Sequence, residues 1–238
     1  MKQGGQIAAS VMEKILKSIK PGLSKSQLDT LAREEIINLG AQPSFMTVPG
    51  YHWATCITIN EEVVHGVPNE DGIKEGDLVS LDLGILWKDF HTDLARTIGV
   101  GDISLEKKDF LETGRVALER AIGVCRVGAQ VGDISQTIQG LIEGKRYQVV
   151  RVLTGHGIGR KLHEDPQIPG FRQKDKGPIL KEGMTLAIEV IYSMGKSEVC
   201  YKGNDGWTLR TRDGSLAGLF EDTVAITKDG PIVLTRKN

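Results

Sequence analysis

The sequence predicts an α+β domain of two similar halves, each running from helices into strands that carry acidic residues. Three observations predict it. The order helix, helix, strands occurs twice; a lysine–glutamate–glycine turn recurs at a fixed offset; and single carboxylates interrupt otherwise apolar strand patterns.

Ile7, Val11, Ile15 and Ile19 are spaced by four, with Ala8, Met12 and Leu16 beside them. Residues 7–20 therefore read as a helix stopped by Pro21-Gly22. Ser24-Lys25-Ser26-Gln27 has capping-box spacing and opens a second helix. Its stripe of Leu28, Leu31, Ala32, Ile36 and Leu39 ends at Gly40. Residues 78–86 and 90–100 are rich in Val, Leu and Ile and read as two strands joined at Trp87-Lys88-Asp89. Phe110, Ala117, Leu118, Ala121 and Cys125 mark a third helix ending near Gly128. Asp133 then caps a fourth, with Ile134, Ile138, Leu141 and Ile142 inward.

The second half echoes the first in detail. Lys74-Glu75-Gly76 precedes Asp82 by eight residues, and Lys181-Glu182-Gly183 precedes Glu189 by the same distance, an offset of 107. The turn glycines Gly22 and Gly128 are offset by 106. A period this long is too large for a solenoid unit and points to paired halves around a shared centre. Residues 1–238 read as one domain, with halves of approximately 1–102 and 103–238.

A hairpin turn centred between Trp87 and Lys88 pairs residues whose numbers sum to 175, which sets Asp82 directly across from Asp93. Such neighbours have Cβ atoms roughly 5 Å apart, and like charges there repel. A slip of one residue would send one of them to the other face. A cation between them resolves the repulsion. Glu189 and Glu221 interrupt two further apolar strands, and His156 lies among glycines in Gly155-His156-Gly157-Ile158-Gly159. A carboxylate buried without a partner is costly, so each must be paired, protonated or metal-bound. Asp89 and Asp222 read instead as turn or surface acids. Four strand carboxylates and one imidazole carry a charge of about −4, which two divalent cations neutralise. This oxygen-rich set suits Mn, Fe(II) or Co, and Zn also fits. A two-metal site points to hydrolysis through a bridging water or hydroxide.

Composition excludes other classes. A content of 39% hydrophobic and 26% charged residues allows a substantial core. A formal net charge of −1 provides no global field for nucleic acid or an anionic membrane. Lys145-Arg146 and Arg172-Gln173-Lys174 read as solvated surface. The N-terminus shows no signal-peptide pattern and no window approaches a membrane span. Three scattered cysteines, Cys56, Cys125 and Cys200, fit a reducing compartment, so a cytoplasmic location is expected.

Asp82, Asp93, His156, Glu189 and Glu221 stand in the order and local contexts of the methionine aminopeptidases, metallopeptidases of the pita-bread fold. The stretches that carry the resemblance are GYHWATCITINEEVVHGVP, LDLGILWKDFHTDLART, TGHGIGRKLHEDPQIPG, KEGMTLAIEV and DGWTLRTRDGSLAGLFEDTVAIT. It covers nearly the whole chain and resembles the short bacterial form, type I. It implies a curved antiparallel sheet covered by helices, and removal of the initiator methionine from nascent chains. Two divalent ions are implied: Asp82 chelating one, Asp93 and Glu221 bridging, His156 and Glu189 binding the second. His65 would sit beside the substrate amine and scissile amide, His163 would stabilise the oxyanion, and Glu189 would shuttle the proton. Tyr51, Cys56 and Trp207, with Trp53 and Phe45 as additions, would wall the methionine pocket. Nothing pairs His52 or His91, in turn-like segments, with the metal set. A monomer and a transient ribosome contact are implied, with no nucleic acid or membrane partner.

The chain departs from the family at Val190, Asp222 and Leu162 and in a shorter loop from Gly50 to Cys56, all near the substrate. Two other readings compete. An X-Pro aminopeptidase or prolidase would usually carry a sizeable domain first, whereas the helices here begin within ten residues. A non-catalytic binding protein of the same fold, for example a ribosome-associated factor, would be expected to lose ligands.

Overall fold

The long strands alternate between two environments, and that alternation sorts the molecule into layers. The computed structural model describes residues 1–237. The first half contains helices α1 (Lys2–Ser18) and α2 (Lys25–Asn38), then strands β1 (Gln42–Pro43), β2 (Thr55–Ile59), β3 (Glu62–Val64), β4 (Leu78–Trp87) and β5 (Phe90–Gly99). The second contains helices α3 (Leu105–Gly123) and α4 (Val131–Gly144), then strands β6 (Gln148–Val149), β7 (Thr154–Gly157), β8 (Glu164–Pro169), β9 (Thr185–Ser193), β10 (Val199–Tyr201), β11 (Leu209–Thr211), β12 (Ala217–Thr227) and β13 (Gly230–Val233). No helix among the described residues is long and apolar enough to cross a membrane.

The helices form where the periodicity places them, with local differences. α1 starts at Lys2 and stops at Ser18, because Ile19 turns extended two residues ahead of Pro21. Its early start seats Gly5 against the chain's other end, where a Cβ would come within 2.1 Å of the Leu234 carbonyl oxygen. In α2 the capping box is formed by Ser24 and Gln27. Only Leu28, Ala32 and Ile36 of its stripe are buried, while Leu31 and Leu39 are exposed. Asp133 does not cap α4 itself. It sits one turn in and accepts the backbone N–H of Gln130, the capping residue, at 2.9 Å. The helix-connecting turns correspond closely. Gly22 and Gly128 have φ of +91° and +90°, and their N–H groups donate to Ile73 and Leu180 at 2.9 and 3.0 Å.

Ten strands form one antiparallel sheet, whose main order is β1-β4-β5-β12-β9-β7-β8. α1 and α2 pack on Val79, Leu81, Leu83, Ile85 and Leu94; α3 and α4 pack on Leu186, Ile188, Val190, Phe220 and Val224. Alternation then puts Asp82, Asp93, Glu189 and Glu221 on the opposite face. The β4–β5 register differs from the sequence expectation. The two-residue turn is Lys88-Asp89, both at positive φ (+48° and +65°), so Leu78 pairs Gly99 and paired numbers sum to 177. Asp82 lies across from Ala95 and Asp93 from Gly84. The difference is two residues, so both aspartates keep one face as diagonal neighbours.

β5 and β12 join the halves through only two paired positions, Ala95–Glu221 and Leu94–Asp222. Threonine hydroxyls continue the seam. Thr223 Oγ1 donates to the Asp93 carbonyl and accepts its N–H, and Thr97 Oγ1 does the same with Leu219, all at 2.8 Å. Asp222 is not a surface acid. It is fully buried on the helix-covered face, where Arg96 donates to Oδ1 at 2.7 Å, Arg236 to Oδ2 at 2.7 and 2.9 Å, and Thr235 to Oδ1 at 2.8 Å. Arg96 also donates to the Glu221 carbonyl, tying the seam from behind.

Asp222→Ala should lower the unfolding free energy by about 3 kcal/mol, the low end for breaking a buried pair, since both arginines keep some solvent access. Urea denaturation measures this. A loss below about 1 kcal/mol would mean that the cluster is not holding the seam.

Candidate active site

The register places the acids in two adjacent rows that run across the strands. Cys56, Asp82, Ala95, Glu221 and Glu189 are successive direct partners on β2, β4, β5, β12 and β9. Two residues along the strands, Gly84 pairs Asp93, and Ala187 pairs His156 on β7. Neighbouring strands lie about 4.8 Å apart, so side chains from four strands converge on one patch. The small residues Ala95, Gly84 and Ala187 keep those rows open.

One ligand atom each from Asp93, His156 and Glu221 lie within 4.8 Å of one another. His156 Nε2 is 3.7 Å from Glu189 Oε1, and its Nδ1 faces the Gly157 carbonyl at 2.8 Å, which orients the ring. Asp93 and Glu221 are buried; Asp82 and Glu189 keep partial exposure, into the cavity they line. Three carboxylate oxygens, Asp82 Oδ1, Asp93 Oδ1 and Glu221 Oε1, are buried without a hydrogen-bond partner. Orphaned acceptors converging beside an imidazole fit a divalent cation and fit little else.

The electrostatics agree. Burial lifts Asp93 to about 7. Burial, and then the charge of Asp93, push Asp82, Glu189 and Glu221 well above the usual carboxylate range. Burial lowers His156 to about 4 and shifts His65 and His163 down as well, keeping all three rings neutral near pH 7. A neutral imidazole is the form that ligates.

A cavity of ≈ 170 Å³ contains the five expected ligands together with Phe45, Tyr51, Cys56, His65, His163 and Trp207. The Tyr51 hydroxyl donates to the Thr55 carbonyl at 2.8 Å and lies 3.1 Å from Cys56 Sγ; the Tyr51 and Trp207 rings meet edge-on at 5.1 Å. His65 holds positive φ (+55°), and the His163 ring lies edge-on to His156 at 4.5 Å. An open cleft of ≈ 690 Å³ shares His65, His156, His163 and Glu189 with the cavity.

Every expected site residue is therefore in one place, apart from Trp53, which packs on Tyr51 at 5.2 Å outside the cavity lining. His52 is exposed. His91 lies in β5 rather than a turn, buried, its Nδ1 2.6 Å from Ser44 Oγ, and it takes no part in the cavity. Sequence reasoning missed Val48 as a wall and Thr223 as the clasp on Asp93. Alternation from Glu221 already put Thr223 on the site face.

The model of metallopeptidase family M24 matches residues 1–228. The chain is 40% identical to a methionine aminopeptidase of Clostridium perfringens over 99% of this chain and 94% of that protein. It is 41% identical to methionine aminopeptidase 1 of Bacillus subtilis, over 99% and 95%. The crystal structure of a methionine aminopeptidase from Thermotoga maritima superposes with a TM-score of 0.97 at 41% identity, covering 100% of this chain and 95% of that one. A prolidase from Pyrococcus furiosus shares the fold alone, with a TM-score of 0.81 at 24% identity, and this chain covers 63% of it.

Because carboxyls with raised pKa hold protons that a cation must displace, metal binding should release protons near pH 7. Apparent affinity for Mn(II) should strengthen as pH rises from about 5.5 to about 8. His156 is already neutral in that range and contributes none of the released protons. Calorimetric titration in buffers of different ionisation enthalpy reads the number released. A value of zero would contradict the enclosed acid cluster.

Proposed function

From the chain's membership of metallopeptidase family M24, we propose a reading in which this one domain, with its centre at the seam of two halves, removes N-terminal methionine from peptides and nascent proteins. The observation that carries it is the converging set of unpartnered carboxylate oxygens and a neutral histidine at the junction of a small apolar cavity and an open cleft.

Asp82 would hold one divalent ion, Asp93 and Glu221 would bridge it to a second, and His156 and Glu189 would complete the second. The oxygen-rich donors favour Mn, Fe(II), Co or Zn. Bound divalent ions supply Lewis acidity and acidify water enough for attack near neutral pH. The methionine side chain occupies the cavity against Tyr51, Cys56, Phe45 and Trp207, whose rings and sulfur suit a flexible thioether. The rest of the substrate leaves through the cleft. His65 contacts the amine and the scissile amide. His163 donates to the carbonyl oxygen as negative charge develops there. Glu189, with Oε1 3.7 Å from His156 Nε2, would take the proton of the attacking water and return it to the departing nitrogen. Val190 and Asp222 point to the helix-covered side of the sheet, away from substrate; Leu162, with Tyr51 and Cys56 of the shorter loop, lines the cavity.

A single chain supplies all these groups, which supports a monomer. Three unpaired cysteines support a reducing, cytoplasmic setting, and an N-terminal substrate supports transient contact with the ribosome.

Asp93→Ala or Glu221→Ala should abolish metal-dependent release of methionine from Met-Ala-Ser while leaving circular dichroism unchanged; full activity in either variant would sink the two-metal assignment. His163→Ala should lower kcat about 10²–10³-fold, with bound metal, counted by elemental analysis, unaltered. Across an X-Ala-Ser series, Met should be preferred over Leu and Pro under each divalent metal, and preference for another residue would reassign the cavity.

A further inference from the structure

The loop between β10 and β11 carries Trp207, and an ion pair at its base joins it to the strand that leads to His65. Glu62, on β3, is buried, with a side chain 1% exposed. Its carboxylate accepts the Ile59 N–H at 2.8 Å and Lys25 Nζ at 3.0 and 3.2 Å. Lys25, the first residue of α2, is equally buried. That lysine alone neutralises Glu62, yet Lys202 also donates to Glu62 Oε1 and lies 3.7 Å from Asp71. The second cation is surplus to the burial of Glu62. What it adds is a fixed end for the loop.

Beyond Lys202 the loop closes on itself. Lys202 N–H donates to the Thr208 carbonyl at 2.7 Å, and Asp205 Oδ1 accepts the N–H groups of Trp207 and Thr208 at 2.8 and 2.9 Å. Thr208 Oγ1 accepts the Val67 N–H at 3.1 Å, just past His65. Gly203 and Gly206 adopt positive φ, which lets the loop turn at both ends of its Asp205-centred hydrogen bonds.

We propose that Lys202 is a positioning residue for methionine recognition: its ion pair with buried Glu62 latches the 202–208 loop and keeps Trp207 against Tyr51. The inference rests on the reading of Trp207 as a wall for the substrate side chain. Because Lys25 still pairs Glu62, Lys202→Met leaves no buried charge alone and should fold.

The test uses Lys202→Met, Lys202→Arg and Trp207→Ala in the metal-loaded protein. Lys202→Met should raise KM for Met-Ala-Ser about fivefold with kcat within about twofold, and Lys202→Arg should restore KM. In a background with Trp53→Phe and Trp87→Phe, acrylamide quenching of Trp207 should rise in Lys202→Met and return in Lys202→Arg. Quenching needs no turnover, so it reads the latch even if the peptide is not cleaved. Unchanged quenching in Lys202→Met overturns the latch, whatever happens to KM. Altered kcat at constant KM overturns the role in recognition. An unchanged KM in Trp207→Ala overturns that role too, and places the failure in the reading of Trp207 rather than in the ion pair.

Discussion

Four carboxylates enclosed on one face of a sheet repel one another, and the architecture of this protein is arranged around that repulsion. Asp82, Asp93, Glu189 and Glu221 gain nothing from hydrogen bonds to the protein at three of their inward oxygens. In the absence of cations the cheapest response is to hold protons, which is why burial drives all four toward the neutral form. A fold that brings such groups together must be held by contacts elsewhere, and it offers those oxygens to divalent charge.

Those contacts lie behind the sheet. On the helix-covered face the same strands carry Leu94, Ile188, Val190, Phe220 and Val224 into two dense cores. Asp222, adjacent to Glu221 but facing the other way, is satisfied by two arginines and a threonine. The contrast between neighbours is instructive. Alternation along β12 gives one acid every partner it needs and the next almost none. Arg96 bonds both the Asp222 carboxylate and the Glu221 carbonyl, so the well-satisfied side fixes the backbone of the poorly satisfied one. Lys25 and Glu62 repeat this logic beside the cavity, where a fully neutralised buried pair offers Lys202 a rigid anchor.

The β5–β12 seam explains why side chains from distant segments meet there. β5 and β12 share only two paired positions, and hydroxyls of Thr97 and Thr223 replace the next ladder bonds. Backbone groups remain satisfied while strands from both halves present side chains to a common point. The first half supplies Asp82, Asp93 and His65; the second supplies His156, His163, Glu189 and Glu221.

What the sequence determined by itself was local and periodic. Spacings of four set the helices, the Ser24 box set the start of α2, and apolar alternation put Asp82, Glu189 and Glu221 within strands. The resemblance to methionine aminopeptidases gave five expected ligands as a group, because five contexts matched together. Tertiary structure decided the rest. The Lys88-Asp89 turn shifted the hairpin by two residues, since turn geometry rather than apolar pattern sets register when a two-residue slip keeps every side chain on its face. Burial of Asp222 and His91 depended on Arg96, Arg236 and Ser44, which are distant in sequence and leave no periodic trace. Trp207 reads from the resemblance as a pocket wall and Trp53 only as an addition to it; packing puts Trp207 on the cavity and leaves Trp53 outside its lining. Periodicity reports which face a side chain takes; which groups meet on that face is settled by contacts between segments far apart in the chain.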